Sequence, residues 1–394
     1  MHTHASKIVR EFVHKHLSLI HGARRELLCA AVSAVMAGQL LSLSRLARAL
    51  MGQGTYKAAL KRVDRWMGNA RTGQEAQVLG AALLRRWGLG AQPLVIAVDW
   101  SEVAPDGAFV ELRACLTRPG MGRGLTLYQQ VYPESKLGNA KAERALLKQL
   151  HAWMPASAHV IIVSDAGFRR PWFTQVERLG WSWIGRIRGS VKVSRLDSPW
   201  QQARTWFAQA SGKACRWKDC WLTQEHRFAC DMVLYRARVV GRKRYGRAGH
   251  GSTPRAQGAA RASAHEPWLL AHSARLRSFR ADEIVAMYGW RMQIEENFRD
   301  SKSIPLGMGL EVSQSRTAPR LHALLLIGTL AAFLLWHIGQ LAEAEGLHLR
   351  FKATTREARE LSVITLAKFL CAFNTLALTE AAMKALNQRL GLRA

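Results

Sequence analysis

Acidic side chains are scarce in this chain: its 394 residues carry 28 Asp and Glu against 57 Lys and Arg, a formal net charge of +29. Solubility needs no such imbalance, and a field of this sign suits a polyanion, most directly nucleic acid. Cysteine is sparse too, six residues scattered from Cys29 to Cys371. That scatter argues against a disulfide framework and for reduced thiols in a cytoplasm. No CxxC pair exists, and Cys215, Cys220, His226 and Cys230 are spaced too loosely for an ordinary zinc site. The opening stretch MHTHASKIVREFVHKHLS has charges throughout and no apolar h-region, so export is not expected. Repeats of solenoid period are also missing.

Apolar residues are plentiful, at 48%, enough to fill the cores of two or three domains. The segment Leu321 to Ala342 contains no Asp, Glu, Lys or Arg and is long enough to span a bilayer. Its densely apolar part runs only from Ala323 to Trp336, and His322, His337 and Gln340 interrupt the window, so the expectation is a buried core helix.

Residues 1–88 are helical in pattern. In GTYKAALKRVDRWMGNAR, Lys57, Lys61 and Arg65 recur every four residues with Arg62 beside them, while Leu60, Val63, Trp66 and Met67 turn elsewhere. One face can pack and the other can meet phosphates, against the plainer reading of a solvated charged face. From Ala91 the texture changes. PLVIAVDWSEV is a buried strand ending in Asp99, FVELRACLTR and LTLYQQVYP alternate as two more with PGMGRG as the turn, and NAKAERALLKQLHAWM is a helix. HVIIVSDAGFRRPW is a second buried strand, ending at Asp165, and WSWIGRIRGSVKV supplies another. The order predicts an α/β fold in which two apolar strands each deliver an aspartate at the carboxyl end. Residues 191–265 read as a basic insertion, EPWLLAHS restores a strand, and the chain is helical thereafter.

YGWRMQIEENFRDSK, Tyr288 to Lys302, reads as one helix. On its wheel Tyr288, Arg291, Glu295 and Lys302 fall within roughly 60° of one another, beside an apolar stripe of Met287, Trp290, Ile294 and Phe298. The simple alternative is a solvated face with i,i+4 ion pairs. Glu296 falls about 100° away, off that face. Two strand-end aspartates followed by a carboxylate on a defined helix face suit hard cations, Mg²⁺ or Mn²⁺, and phosphodiester chemistry in a basic surface.

Asp99 in VDWS, Asp165 in IVSDAGF and the pattern Y-x2-R-x3-E-x6-K, met by Tyr288, Arg291, Glu295 and Lys302, resemble the DDE triad and YREK signature of insertion-sequence-4 family transposases. The likeness extends over nearly the whole chain, and LKRVDRWMGN, RGSVKV, EPWLLA and RMQIEENFRDSKS look closest to the insertion-sequence-ten branch. The resemblance implies a ribonuclease-H-like catalytic core with a β-rich insertion, preceded by an all-helical N-terminal DNA-binding domain and followed by C-terminal helices. Residues 1–88 would be the DNA-binding domain, 89–190 and 266–312 the two parts of the core, 191–265 the insertion and 313–394 the C-terminal region. It further implies cut-and-paste transposition through nicking, hairpin formation and opening, and strand transfer. Asp99, Asp165 and Glu295 would hold two Mg²⁺ or Mn²⁺ ions, while Tyr288, Arg291 and Lys302 would contact the DNA backbone. Trp268 would stack an extruded base, against the reading of a buried structural tryptophan; Met292 stands where some relatives have a second tryptophan. Implied partners are double-stranded DNA, as terminal inverted repeats and target, and a second copy of the chain, in a bacterial cytoplasm at the nucleoid. A catalytically inactive, transposase-derived repressor is the alternative.

Overall fold

The computed structural model describes residues 4–89, 93–103, 106–196, 198–237, 266–355, 359–373, 376 and 378–392. The basic run from Arg238 to Arg261 lies outside the described residues. Five helices open the chain: α1 (His4–His16), α2 (Gly22–Met36), α3 (Leu43–Ala49), α4 (Tyr56–Met67) and α5 (Thr72–Leu83). In α4 the Thr55 side chain caps the first turn by accepting from Ala58 N, and Ala59, Val63, Trp66 and Met67 are buried. Lys57, Lys61, Arg62 and Arg65 are all exposed, as an amphipathic helix requires.

Next come β1 (Leu94–Glu102), β2 (Phe109–Thr117), β3 (Leu125–Pro133), α6 (Ala140–Trp153), β4 (Val160–Ser164), α7 (Arg170–Arg178) and β5 (Ser182–Arg186). The turn between β2 and β3 bends through Gly120 and Gly122, both at positive φ. β1 pairs antiparallel with β2 and parallel with β4, which in turn runs parallel to β5. WSWIGRIRGSVKV, expected as one strand, divides: after β5 the chain leaves the ladder and re-enters as β6 (Lys192–Arg195). The parallel pairing with β4 ends at Ser164 and Gly185, while on the other edge of β5 Ile187 N still donates to Leu269 O of β10 (Trp268–His272).

β7 (Gln201–Gln202), β8 (Cys215–Leu222) and β9 (Phe228–Tyr235) follow, and β10 (Trp268–His272) inserts between β5 and β9. The insertion therefore extends the sheet, whose order among the described residues is β3-β2-β1-β4-β5-β10-β9-β8-β6-β7. The C-terminal part consists of α8 (Ala281–Gly289), α9 (Met292–Lys302), α10 (Ala318–Ala344), α11 (Val363–Ala372) and α12 (Glu380–Leu390).

Side-chain alternation divides the sheet between two layers. Val95 of β1 joins Ile161, Val163 and Ile184 under Ile284, Met287 and Tyr288 of α8, while Ala97 and Cys115 meet Ile294 and Phe298 of α9. Ile96, Val98, Leu112 and Ala114 face the other way, into a larger core shared with α6, α10 and the N-terminal helices. Residues 4–83 are thus helical but have no core of their own: α2, α4 and α5 pack on α10. α10 is long and apolar enough to cross a membrane by length and composition, yet most of it is buried against α2, α5, α11 and β3.

Two glycines permit the closest of these approaches. A Cβ on Gly80 of α5 would run into the Leu127 carbonyl of β3, and one on Gly339 of α10 into the Val363 carbonyl of α11. Neither obstacle is a side chain that can swing away. Gly80→Ala is expected to cost about 1–3 kcal/mol, read as a lower urea midpoint at unchanged m-value.

Candidate active site

Asp99 follows the buried part of β1, Leu94 to Val98, and Asp165 follows the last residue of β4. The parallel register pairs Val98 with Ser164, so the two aspartates come next in line on adjacent strands, about 4.8 Å apart along the pairing direction. Side chains at matched positions of parallel neighbours leave the sheet on one face, and for Asp99 that is the face shared with Ala97 and covered by α9. Trp100 N donates to Asp99 Oδ1 at 2.9 Å, and Gly167 N donates to Asp165 Oδ1 at 2.7 Å. A side chain at Gly167 would press on that same carboxylate, its Cβ 2.9 Å from Asp165 Oδ1.

The expected single helix from Tyr288 to Lys302 is broken. α8 stops at Gly289, and i,i+3 bonds carry the chain across: Arg291 N to Tyr288 O, Gln293 N to Trp290 O and Ile294 N to Arg291 O. Glycine is a poor helix former, which allows the ladder to tighten there. The wheel still carries Arg291 and Glu295 to one place. Arg291 Nη1 lies 2.9 Å from Asp99 Oδ2 and 2.9 Å from Glu295 Oε1, so a single nitrogen bridges the two carboxylates. α9 reaches this position because Ile294 and Phe298 pack on Ala97 and Cys115. The guanidinium of Arg113, itself buried and paired with Glu111, lies over the Phe298 ring.

Lys302, at the far end of α9, donates to Ser101 Oγ at 2.6 Å. Tyr288 is buried, with the Arg291 guanidinium 5.8 Å from its ring centroid and the Trp268 ring set edge-on at 4.9 Å. Trp268 is itself half-buried at the start of β10. Met292 is 36% exposed. Glu296 turns away from this group and pairs with Arg299 and, at 3.4 Å, with Arg123. Lys57, Lys61, Arg62 and Arg65 belong to α4, on the helical layer.

Burial pushes the Asp99 carboxyl up to about 7; Arg291 opposes that shift, and the negative charges of Asp165 and Glu295 add to it. The Arg291 guanidinium is held above its ordinary range: burial acts against this, and Tyr288, Asp99 and Glu295 outweigh it. The folded chain therefore binds a proton at Asp99 that the unfolded chain has already released between about pH 4 and 7. Stability from this group is present at low pH and lost as pH rises through that window. Urea titrations of the DNA-free, metal-free protein at pH 5 and pH 8 are expected to differ more for wild type than for Asp99→Asn.

Among the described residues no three His, Cys, Asp or Glu side chains converge as a ready ligand shell for a metal. Asp99, Asp165 and Glu295 nevertheless suit a hard cation chemically. All three offer carboxylate oxygens, the arginine already lodged between two of them shows that the set accepts positive charge, and Glu295 is 45% exposed at its side chain. Ser101 and Gly167 went unnoticed in the sequence; each lies two residues beyond a strand-end aspartate, where no pattern marks it.

A protein-family model described as "Transposase DDE domain" matches residues 122–334. No curated protein matches the chain. Among solved structures the chain is similar to one described as "Cryo-EM structure of piggyBac transposase synaptic complex with hairpin DNA", at 11% identity and a TM-score of 0.40, with 98% of this chain and 83% of that chain covered.

Proposed function

Since the chain belongs to the transposase DDE-domain family and is a DDE transposase, a DNA nuclease and strand transferase, we propose that it moves an insertion sequence by cut-and-paste transposition with Asp99, Asp165 and Glu295 as its catalytic carboxylates. The observation that carries this reading is Asp99 and Asp165 side by side on parallel strand ends, with Arg291 tying Asp99 to Glu295. The strand order β3-β2-β1-β4-β5 supports a ribonuclease-H-like core. The YREK spacing supports placement in the insertion-sequence-4 family, nearest its insertion-sequence-ten branch.

Enzymes of this family use divalent metal ions; here we assign them to Asp99, Asp165 and Glu295, as two Mg²⁺ or Mn²⁺. Bound ions of this kind supply activation of a water or 3′-hydroxyl and stabilisation of the leaving oxygen. The chain's own residues do the rest. Asp99 must be deprotonated, which Arg291 favours by holding positive charge against it. When a phosphate arrives, the Arg291 guanidinium can exchange a carboxylate for a phosphate oxygen, and Lys302 and Tyr288 add contacts to the DNA backbone. Lys57, Lys61, Arg62 and Arg65 of α4 serve as phosphate contacts within a helical DNA-binding region. Trp268, half-buried against Tyr288, stacks the base displaced when the duplex end is bent into a hairpin.

In the proposed sequence water breaks a phosphodiester at the element's end and leaves a 3′-hydroxyl. That hydroxyl attacks the opposite strand and closes a hairpin, water reopens it, and the 3′-hydroxyl joins target DNA. Paired ends require a site at each, so two copies of the chain act together, in the cytoplasm at the nucleoid. The test is a duplex carrying the element's own end, labelled on either strand and resolved on a denaturing gel. A fast-formed nick that converts to a hairpin-length product supports the sequence of steps; a double-strand break with no hairpin at any time refutes it.

A further inference from the structure

Beside Asp165 the surface opens into a groove of about 630 Å³, and Ala166 and Gly167, the residues immediately after the carboxylate, form part of its wall. Cations from three separate stretches converge there: Arg169 and Arg170 at the start of α7, Arg186 and Arg188 where β5 leaves the sheet, and Lys192 of β6. Glu225 is the only acid among the lining residues. Arg186 is paired with Glu266 at 2.9 Å and Lys192 donates to Gln224 at 2.7 Å. Among the described residues the side chains of Arg169, Arg170 and Arg188 have neither a hydrogen-bond acceptor nor an ion-pair partner. Three guanidinium groups with no partner among the described residues, lining one groove next to a carboxylate of the candidate site, call for a ligand with several negative charges along its length.

We propose that this groove is a phosphate track, in which Arg169, Arg170 and Arg188 grip consecutive phosphates of the DNA strand that passes Asp165. The proposal rests on the transposase reading and adds to it the direction in which the substrate strand leaves the site. A guanidinium presents a planar pair of donors to phosphate, so each arginine can hold one backbone position without reading sequence.

The experiment is equilibrium binding of a duplex bearing the element's end, without divalent metal, across a salt series. The slope of log K against log salt is expected to fall by about 0.9 for each phosphate that no longer meets an arginine, so Arg169→Gln/Arg170→Gln/Arg188→Gln should flatten it by about 2 to 3. Arg188→Gln alone should flatten it by about 1, and Arg178→Gln, at the other end of α7, should leave it unchanged. Methylphosphonates placed singly on either side of the cleavage position should weaken binding by wild type and make no further difference to the triple variant. A triple variant with the wild-type slope, or an Arg178→Gln slope that falls as much as Arg188→Gln, overturns the track while leaving the transposase reading intact. Wild-type protein that neither binds nor cuts the end overturns both.

Discussion

Asp165→Asn is expected to lower DNA cleavage by on the order of a thousandfold or more, the loss of several kcal/mol of transition-state charge stabilisation, while binding to the element's end survives. The asymmetry follows from where the residue sits. Asp165 lies just past the end of β4, with its carboxylate oriented by Gly167 N, and the core beneath consists of Val163, Ile161 and their neighbours, which the substitution does not touch. An amide keeps the hydrogen bond from Gly167 and removes the charge. Cleavage measured on a gel and binding measured by anisotropy should therefore separate cleanly.

Arg291→Ala carries the second large effect. One guanidinium nitrogen bridges Asp99 and Glu295 and the same group packs by the Tyr288 ring, so its removal leaves two acids near Asp165 with no cation between them. Asp99 is then without the partner that opposes its upward shift and should take up its proton at still higher pH. Cleavage at pH 7 should fall about a hundred- to a thousandfold, the usual cost of one preorganised donor. The midpoint of the pH–rate profile should move upward with it. Arg291→Lys retains a charge at the end of a shorter stem and should recover part of both effects. An Arg291→Ala protein with wild-type rate and profile would mean that the bridge has no part in the chemistry.

The two aspartates were legible because parallel strands buried on both faces read as unbroken apolar runs, LVIAV and VIIV, whose ends are marked by the first charged residue. The meeting of Arg291 with Glu295 was legible from helical spacing alone. Its third partner, Asp99, was placed by packing of Ile294 and Phe298 on β1 and β2, a long-range contact that no local pattern announces. The break after Gly289 was hidden by an apolar periodicity that runs on through it. The union of the insertion with the sheet was equally hidden, because β10 meets β5 and β9 only by pairing across the fold. The groove cations, drawn from residues 169 to 192, form no run in sequence, and only the fold gathers them.

Glu295 and Glu296 are adjacent, chemically identical and differently placed, which makes them the sharpest probe of a site built from Asp99, Asp165 and Glu295. Glu295 meets Arg291 at the strand ends, whereas Glu296 is occupied by Arg299 and Arg123. Purified wild type, Glu295→Ala and Glu296→Ala should be incubated with labelled DNA bearing the element's end, with and without Mg²⁺. Metal-dependent nicking by wild type and Glu296→Ala, absent from Glu295→Ala, is the result expected of such a site. Nicking that persists in Glu295→Ala, or that proceeds equally without metal, would contradict it.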